Sequence, residues 1–208
     1  MFLRGVIAAA ACAAILQGCT TPGASRDGAS AQEIAAAAYR HPGPPRLTLF
    51  TMVNNRSGSG AHTSLMINGS QRVIFDPAGS LRLRSIPERH DVLYGVTPVV
   101  ADFYARAHAR ETYHVVIQEI EVSAAVAERA LKLAQANGPV AQAQCAVSTA
   151  GLLKQLPGFE AIDPTWFPTK LADQFGALPG VTTERLYEND DDDKRLAVRE
   201  FERRRQAE

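Results

Sequence analysis

Cysteine is scarce in this chain: of 208 residues only Cys12, Cys19 and Cys145 carry sulfhydryls. Charge of one sign is also missing, since 22 basic residues balance 22 acidic ones. No global field therefore points to nucleic acid or to an acidic partner. The apolar run Gly5–Leu16 has twelve residues, too few to cross a bilayer, which takes about 20. HExxH and CxxC are absent, and no ligands stand at zinc-like spacing around Cys145. "RSGSGAH" lacks the Lys-Ser/Thr of a phosphate-binding loop. No internal repeat is visible. Neither metal nor nucleotide chemistry is signalled, so no cofactor is expected.

What is present at the N-terminus explains two of the cysteines. Arg4 followed by the apolar run has the shape of a secretory signal. It ends in Leu16-Gln17-Gly18-Cys19, which resembles the lipobox of bacterial lipoproteins. That resemblance implies that residues 1–18 are removed and that Cys19 is acylated. The protein would then be exported and tethered to the membrane, facing the periplasm. Cys12 leaves with the signal and Cys19 carries lipid, so Cys145 has no intramolecular partner. In an exported chain such a residue is either a small buried hydrophobe or a reactive thiol.

Residues 19–45 read as a lipidated tether and linker, because 20–31 is rich in Gly, Ser, Ala and Thr and "HPGPP" (41–45) is a stiff break. Residues 46–188 form the folded domain, and 189–208, with "ENDDDDKR" and many arginines, read as a solvated tail or frayed helix. Within the domain, "RLTLFTMV" (46–53) alternates as a half-buried strand does. "AHTSLMI" (61–67) and "QRVIFD" (71–76) are strands flanking Asn68-Gly69-Ser70, and Asn-Gly predicts a tight hairpin turn. A further strand lies within 110–122. Ser123 caps a helix that Gly138 stops, a second helix runs from about Cys145 to Leu156, and a third starts near Pro168. Strands come mainly before helices, which predicts an α+β fold with an antiparallel sheet. Trp166, Phe167 and Phe175 read as core packing.

A thiol in the first turn of a helix meets free N–H groups and the positive end of the helix dipole, both of which favour thiolate. It then needs a base. His41 falls in the linker, His90 and His108 in polar stretches expected to be exposed, and His114 inside a strand. His62 begins a hairpin strand after a flexible loop. A two-residue turn at Asn68-Gly69 sets Asp76 beside it, one residue out of register, where a carboxylate can orient the imidazole.

The order of "AHTSLMI", "VIFDPAGS" and "QCAVSTAGLL" resembles that of the circularly permuted papain-like enzymes, the permuted NlpC-type amidases and the lecithin–retinol acyltransferase group. In that arrangement the histidine strand precedes the cysteine helix. The resemblance implies a permuted papain-like fold with Cys145 as nucleophile, His62 as base and Asp76 as orienter. It also implies a thiol hydrolase of amide bonds, with a peptide such as a cell-wall peptide as substrate, or else a lipid acyl hydrolase or acyltransferase that uses the same site on a lipid-linked acyl group. A non-catalytic lipoprotein that binds peptide or lipid is the competing class; Cys145 buried away from His62 would be its sign.

Overall fold

The computed structural model describes residues 28–207. The signal segment, the lipobox and Cys19 lie outside them. The chain is an α+β protein built on one antiparallel sheet, with strands β1 (Arg46–Asn54), β2 (Gly60–Asn68), β3 (Arg72–Phe75), β4 (Glu88–Arg89), β5 (Val92–Leu93), β6 (Tyr113–Glu121) and β7 (Thr182–Leu186) in the spatial order β4-β5-β3-β2-β1-β6-β7. The helices are α1 (Ala31–Ala37), α2 (Pro98–His108), α3 (Ala124–Ala136), α4 (Cys145–Leu153), α5 (Pro168–Gly176) and α6 (Lys194–Ala207).

Apolar residues split between the two faces of the sheet. Leu47, Leu49, Leu65, Ile67 and Phe75 pack against α3, α4 and α5. Phe50, Met52 and Ile74 pack with Val100 and Tyr104 of α2 and Phe201 of α6. Covered on both sides, β1 is buried from Leu47 to Val53, not half-buried as its alternation suggests; even Thr48 and Thr51 are inside. Helices on both faces have replaced solvent, so alternation here marks two different cores.

The hairpin differs from expectation. Pairing runs Asn68↔Arg72 to Leu65↔Phe75, so Gly69, Ser70 and Gln71 form the turn and Asn68 belongs to the ladder. Asn68 pairs with Arg46 on its other side, and its amide donates to the Pro44 carbonyl at 2.7 Å. The Ser70 N–H donates to the Glu128 carboxylate on α3 at 3.2 Å. These contacts hold Asn68 in the strand against its own turn preference. The consequence is large, because a shift by an odd number of residues moves a side chain to the other face. A two-residue turn would set Phe75 opposite His62 and point Asp76 away from it. In the observed register Asp76 falls one step past the last pair, opposite Ser64, on the same face as His62.

Both flanking segments are packed. Residues 28–45 hold α1, whose Ser30 and Glu33 form a capping box, and the Tyr39 carbonyl accepts from the Arg72 N–H at 2.7 Å. The tail expected to be solvated docks instead through α6: Phe201 is buried and stacks on Phe103 at 4.0 Å between ring centres. Its aspartates cap the start of β6, since Asp190 pairs with buried Arg110 and Asp192 accepts from the Thr112 N–H at 3.1 Å. Of the three aromatics expected in the core only Phe175 is there; Trp166 is 59% and Phe167 68% exposed.

Phe201→Ala tests the docking of the tail. Truncating a buried phenylalanine costs about 3 kcal/mol or more, so the urea midpoint should fall clearly; a frayed, solvated tail would leave it unchanged.

Candidate active site

His62, Asp76 and Cys145 meet at one end of the sheet. His62 Nε2 lies 2.6 Å from Asp76 Oδ1, and His62 also hydrogen-bonds the Cys145 sulfur. Because Nε2 is occupied by the carboxylate, Nδ1 is the nitrogen left to serve the sulfur. Cys145, 6% exposed, is the free cysteine among the described residues. It comes from α4, on the opposite side of the sheet from α2. The two layers reach each other because β3 ends at Phe75, opposite Leu65, so that among the described residues no strand covers the edge of β2 beyond Ser64. There the Thr63 N–H donates to the sulfur, as does the N–H of Ala146.

Asp76 is 3% exposed and needs compensation for its charge. It receives the imidazole of His62 and the phenol of Tyr104, each on Oδ1, the latter at 2.8 Å. Tyr104 Oη is also 2.8 Å from Ser64 Oγ. The phenol has one proton and the carboxylate can only accept, so Ser64 donates to Tyr104 and Tyr104 to Asp76. The turn after β3 wraps closely around this carboxylate. The Gly79 N–H donates to the Asp76 carbonyl at 2.9 Å, and a Cβ on Gly79 would sit 1.9 Å from Asp76 Oδ2.

His108, expected in an exposed stretch, is buried at 2%. Its Nδ1–H donates to the Tyr104 carbonyl at 2.8 Å, and its ring stacks over that of His62 with centroids 6.3 Å apart. Tyr104 and His108 stand one turn apart on α2, so one helix face supplies both. The Thr97-Pro98 pair, a cap followed by a first-turn proline, was the signal for this helix in the sequence.

These contacts set the protonation states. Burial opposes charge on His62, but hydrogen bonds to Asp76 and Cys145 and the negative charge of both outweigh it, raising its pKa to about 9. Burial likewise opposes a Cys145 thiolate, yet the hydrogen bond and charge of His62, with the two backbone N–H groups, hold the thiol below its ordinary value. Asp76 is held below the usual carboxylate range against its burial, chiefly by His62. His108 is pushed down to about 3 by burial and then by the positive charge of Lys194. These contacts favour a thiolate, an imidazolium and a carboxylate in series, with a neutral imidazole stacked beside them.

Among the described residues no cluster of His, Cys, Asp or Glu could hold a metal ion. No family model matches the chain, and neither does any curated protein or solved structure.

Tyr104→Phe removes one donor from a buried carboxylate and leaves Ser64 without its acceptor. The loss should be about 1–3 kcal/mol in urea unfolding, as for a hydrogen bond to a charged group. Unchanged stability would mean that the Tyr104–Asp76 bond contributes nothing.

Proposed function

We propose that this chain is a thiol hydrolase of amide bonds, of the permuted papain-like type. The observation that carries it is the placement of Cys145, His62 and Asp76 in series, with His62 Nε2 2.6 Å from Asp76 Oδ1 and the same imidazole lowering the pKa of the thiol. Cys145 attacks the carbonyl carbon as thiolate. The oxyanion that forms faces the N–H groups in the first turn of α4, whose dipole favours negative charge. His62, protonated at rest, gives its proton to the departing amine as the tetrahedral intermediate collapses to a thioester. It then takes a proton from water, which attacks the thioester; the acid leaves and Cys145 is regenerated. Asp76 keeps the imidazole turned so that one nitrogen always faces the sulfur. His108 and Tyr104 wall the imidazole and the carboxylate without exchanging protons with substrate.

The same proposal places the protein outside the cytoplasm, held to the membrane by lipid on Cys19, and takes an exported peptide such as a cell-wall peptide as substrate. The competing non-catalytic reading asked for Cys145 apart from His62, and that separation is not found.

Reactivity should follow the linked charges. The thiolate is lost as pH falls through the lowered Cys145 pKa, and the imidazolium is lost as pH rises through about 9. Alkylation by iodoacetamide should therefore persist below about 8.5, the ordinary thiol value, and the alkaline limb of kcat/KM should fall near 9. His62→Ala should slow alkylation at neutral pH about tenfold or more. Cys145→Ser should lower turnover by about 10³-fold or more. Alkylation at equal rates in the native protein and His62→Ala, with a midpoint at the ordinary thiol value, would defeat the enzyme assignment.

A further inference from the structure

Away from the thiol site, α6 and the 80–84 segment form an open groove. Its walls carry Arg82, Arg84, Arg195, Arg199 and Arg203, and among the described residues Glu202 is the one carboxylate lining it. Glu202 is already engaged, accepting from the Ser85 N–H at 3.1 Å and its hydroxyl at 3.2 Å. Arg195, Arg199 and Arg203 recur every fourth residue, so they form a single stripe on α6 about 12 Å long. Arg82 pairs with Glu88 and Arg195 with Asp193. Arg84, Arg199 and Arg203 are exposed and form no salt bridge with any described residue. Leu196, 48% exposed, lies three residues before Arg199 and so on the same outward face. In a chain of zero net charge, this is a strong local excess of one sign.

The N-terminal segment enters the fold beside this groove. The Ala29 N–H donates to the Glu88 carbonyl at 2.8 Å, and a Cβ on Gly28 would lie 2.5 Å from the same oxygen. The Glu88 carboxylate in turn holds Arg82 of the groove at 3.2 Å. Cys19 precedes Gly28 by nine residues. Even fully extended, that length of chain reaches no more than about 32 Å.

We propose that the arginine face of α6 and the 80–84 segment docks on the anionic phospholipid headgroups of the membrane to which Cys19 is tethered. Guanidinium groups match phosphate oxygens two at a time, and an outward leucine among arginines suits the headgroup boundary. The short tether and the basic face leave the fold at one edge, so both reach the same surface. Lipid on Cys19 supplies attachment; the arginines supply orientation and keep the catalytic domain in one pose over the bilayer. This docking presupposes the Cys19 anchor proposed above, whereas the charge of the face does not.

The test uses the full chain on vesicles of phosphatidylcholine alone or with about a quarter phosphatidylglycerol, read by hydrogen exchange of the 80–85 and 194–207 peptides. Exchange there should slow roughly threefold or more on the anionic vesicles only. The effect should vanish in about 0.5 M NaCl, where charges are screened, and in the Arg199→Glu/Arg203→Glu variant. Cys145 alkylation should be native-like in that variant, which shows that its fold and thiol site are intact. Equal exchange on both vesicle types overturns the proposal. So does equal protection by inorganic phosphate without vesicles, which would assign the face to a small anion. The mass of the mature N-terminus is measured separately. An unacylated terminus removes the anchor but leaves the face standing if exchange still slows on anionic vesicles. An acylated terminus with equal exchange removes the face and leaves the anchor.

Discussion

The burial of Asp76 governs the arrangement around it. A carboxylate at 3% exposure, taken from water without partners, would protonate or disrupt the fold. Here it stays charged because an imidazolium and a phenol converge on one of its oxygens. The register of β2 against β3, the rotation of α2 that brings Tyr104 inward and the close turn at Gly79 all meet that requirement. The imidazolium it stabilises in turn favours the thiolate of Cys145, so the carboxylate and the thiol are linked electrostatically through one ring.

The cluster also spans the sheet. Cys145 belongs to the helical layer on one face, and Tyr104 and His108 to the layer on the other. Only a strand edge left open can bring them together, and the early end of β3 provides it. The Thr63 N–H, which a longer β3 would leave no room to use, becomes a donor to the sulfur. The two stacked histidines carry one positive charge between them because burial and Lys194 deny a charge to His108. Were both charged, their repulsion would oppose the thiolate–imidazolium pair.

Helix caps, strand runs and the order of the three polar residues were legible along the chain, because each depends on neighbours within a few positions. Ser123 before α3, Gly138 after it and Pro168 at the start of α5 are local signals that the fold obeys. The helix at Pro98–His108 was equally signalled by Thr97-Pro98, but a polar environment around His108 masked its inward face. The acidic run read as solvated because charge runs usually are; Arg110 and the start of β6, some 80 residues earlier, give these aspartates their partners.

The sequence by itself determined the α+β class and the candidate trio of Cys145, His62 and Asp76, since residue chemistry and short-range periodicity suffice for those. Only the tertiary structure decided that the trio meets. The Asn-Gly pair favoured a two-residue turn that would have sent Asp76 to the wrong face. Asn68 is held in the ladder by Arg46 and Pro44, contacts between segments distant in sequence. A side-chain direction in a strand reverses with each residue of register, and register is set by what packs on both sides of the strand, which local sequence does not contain.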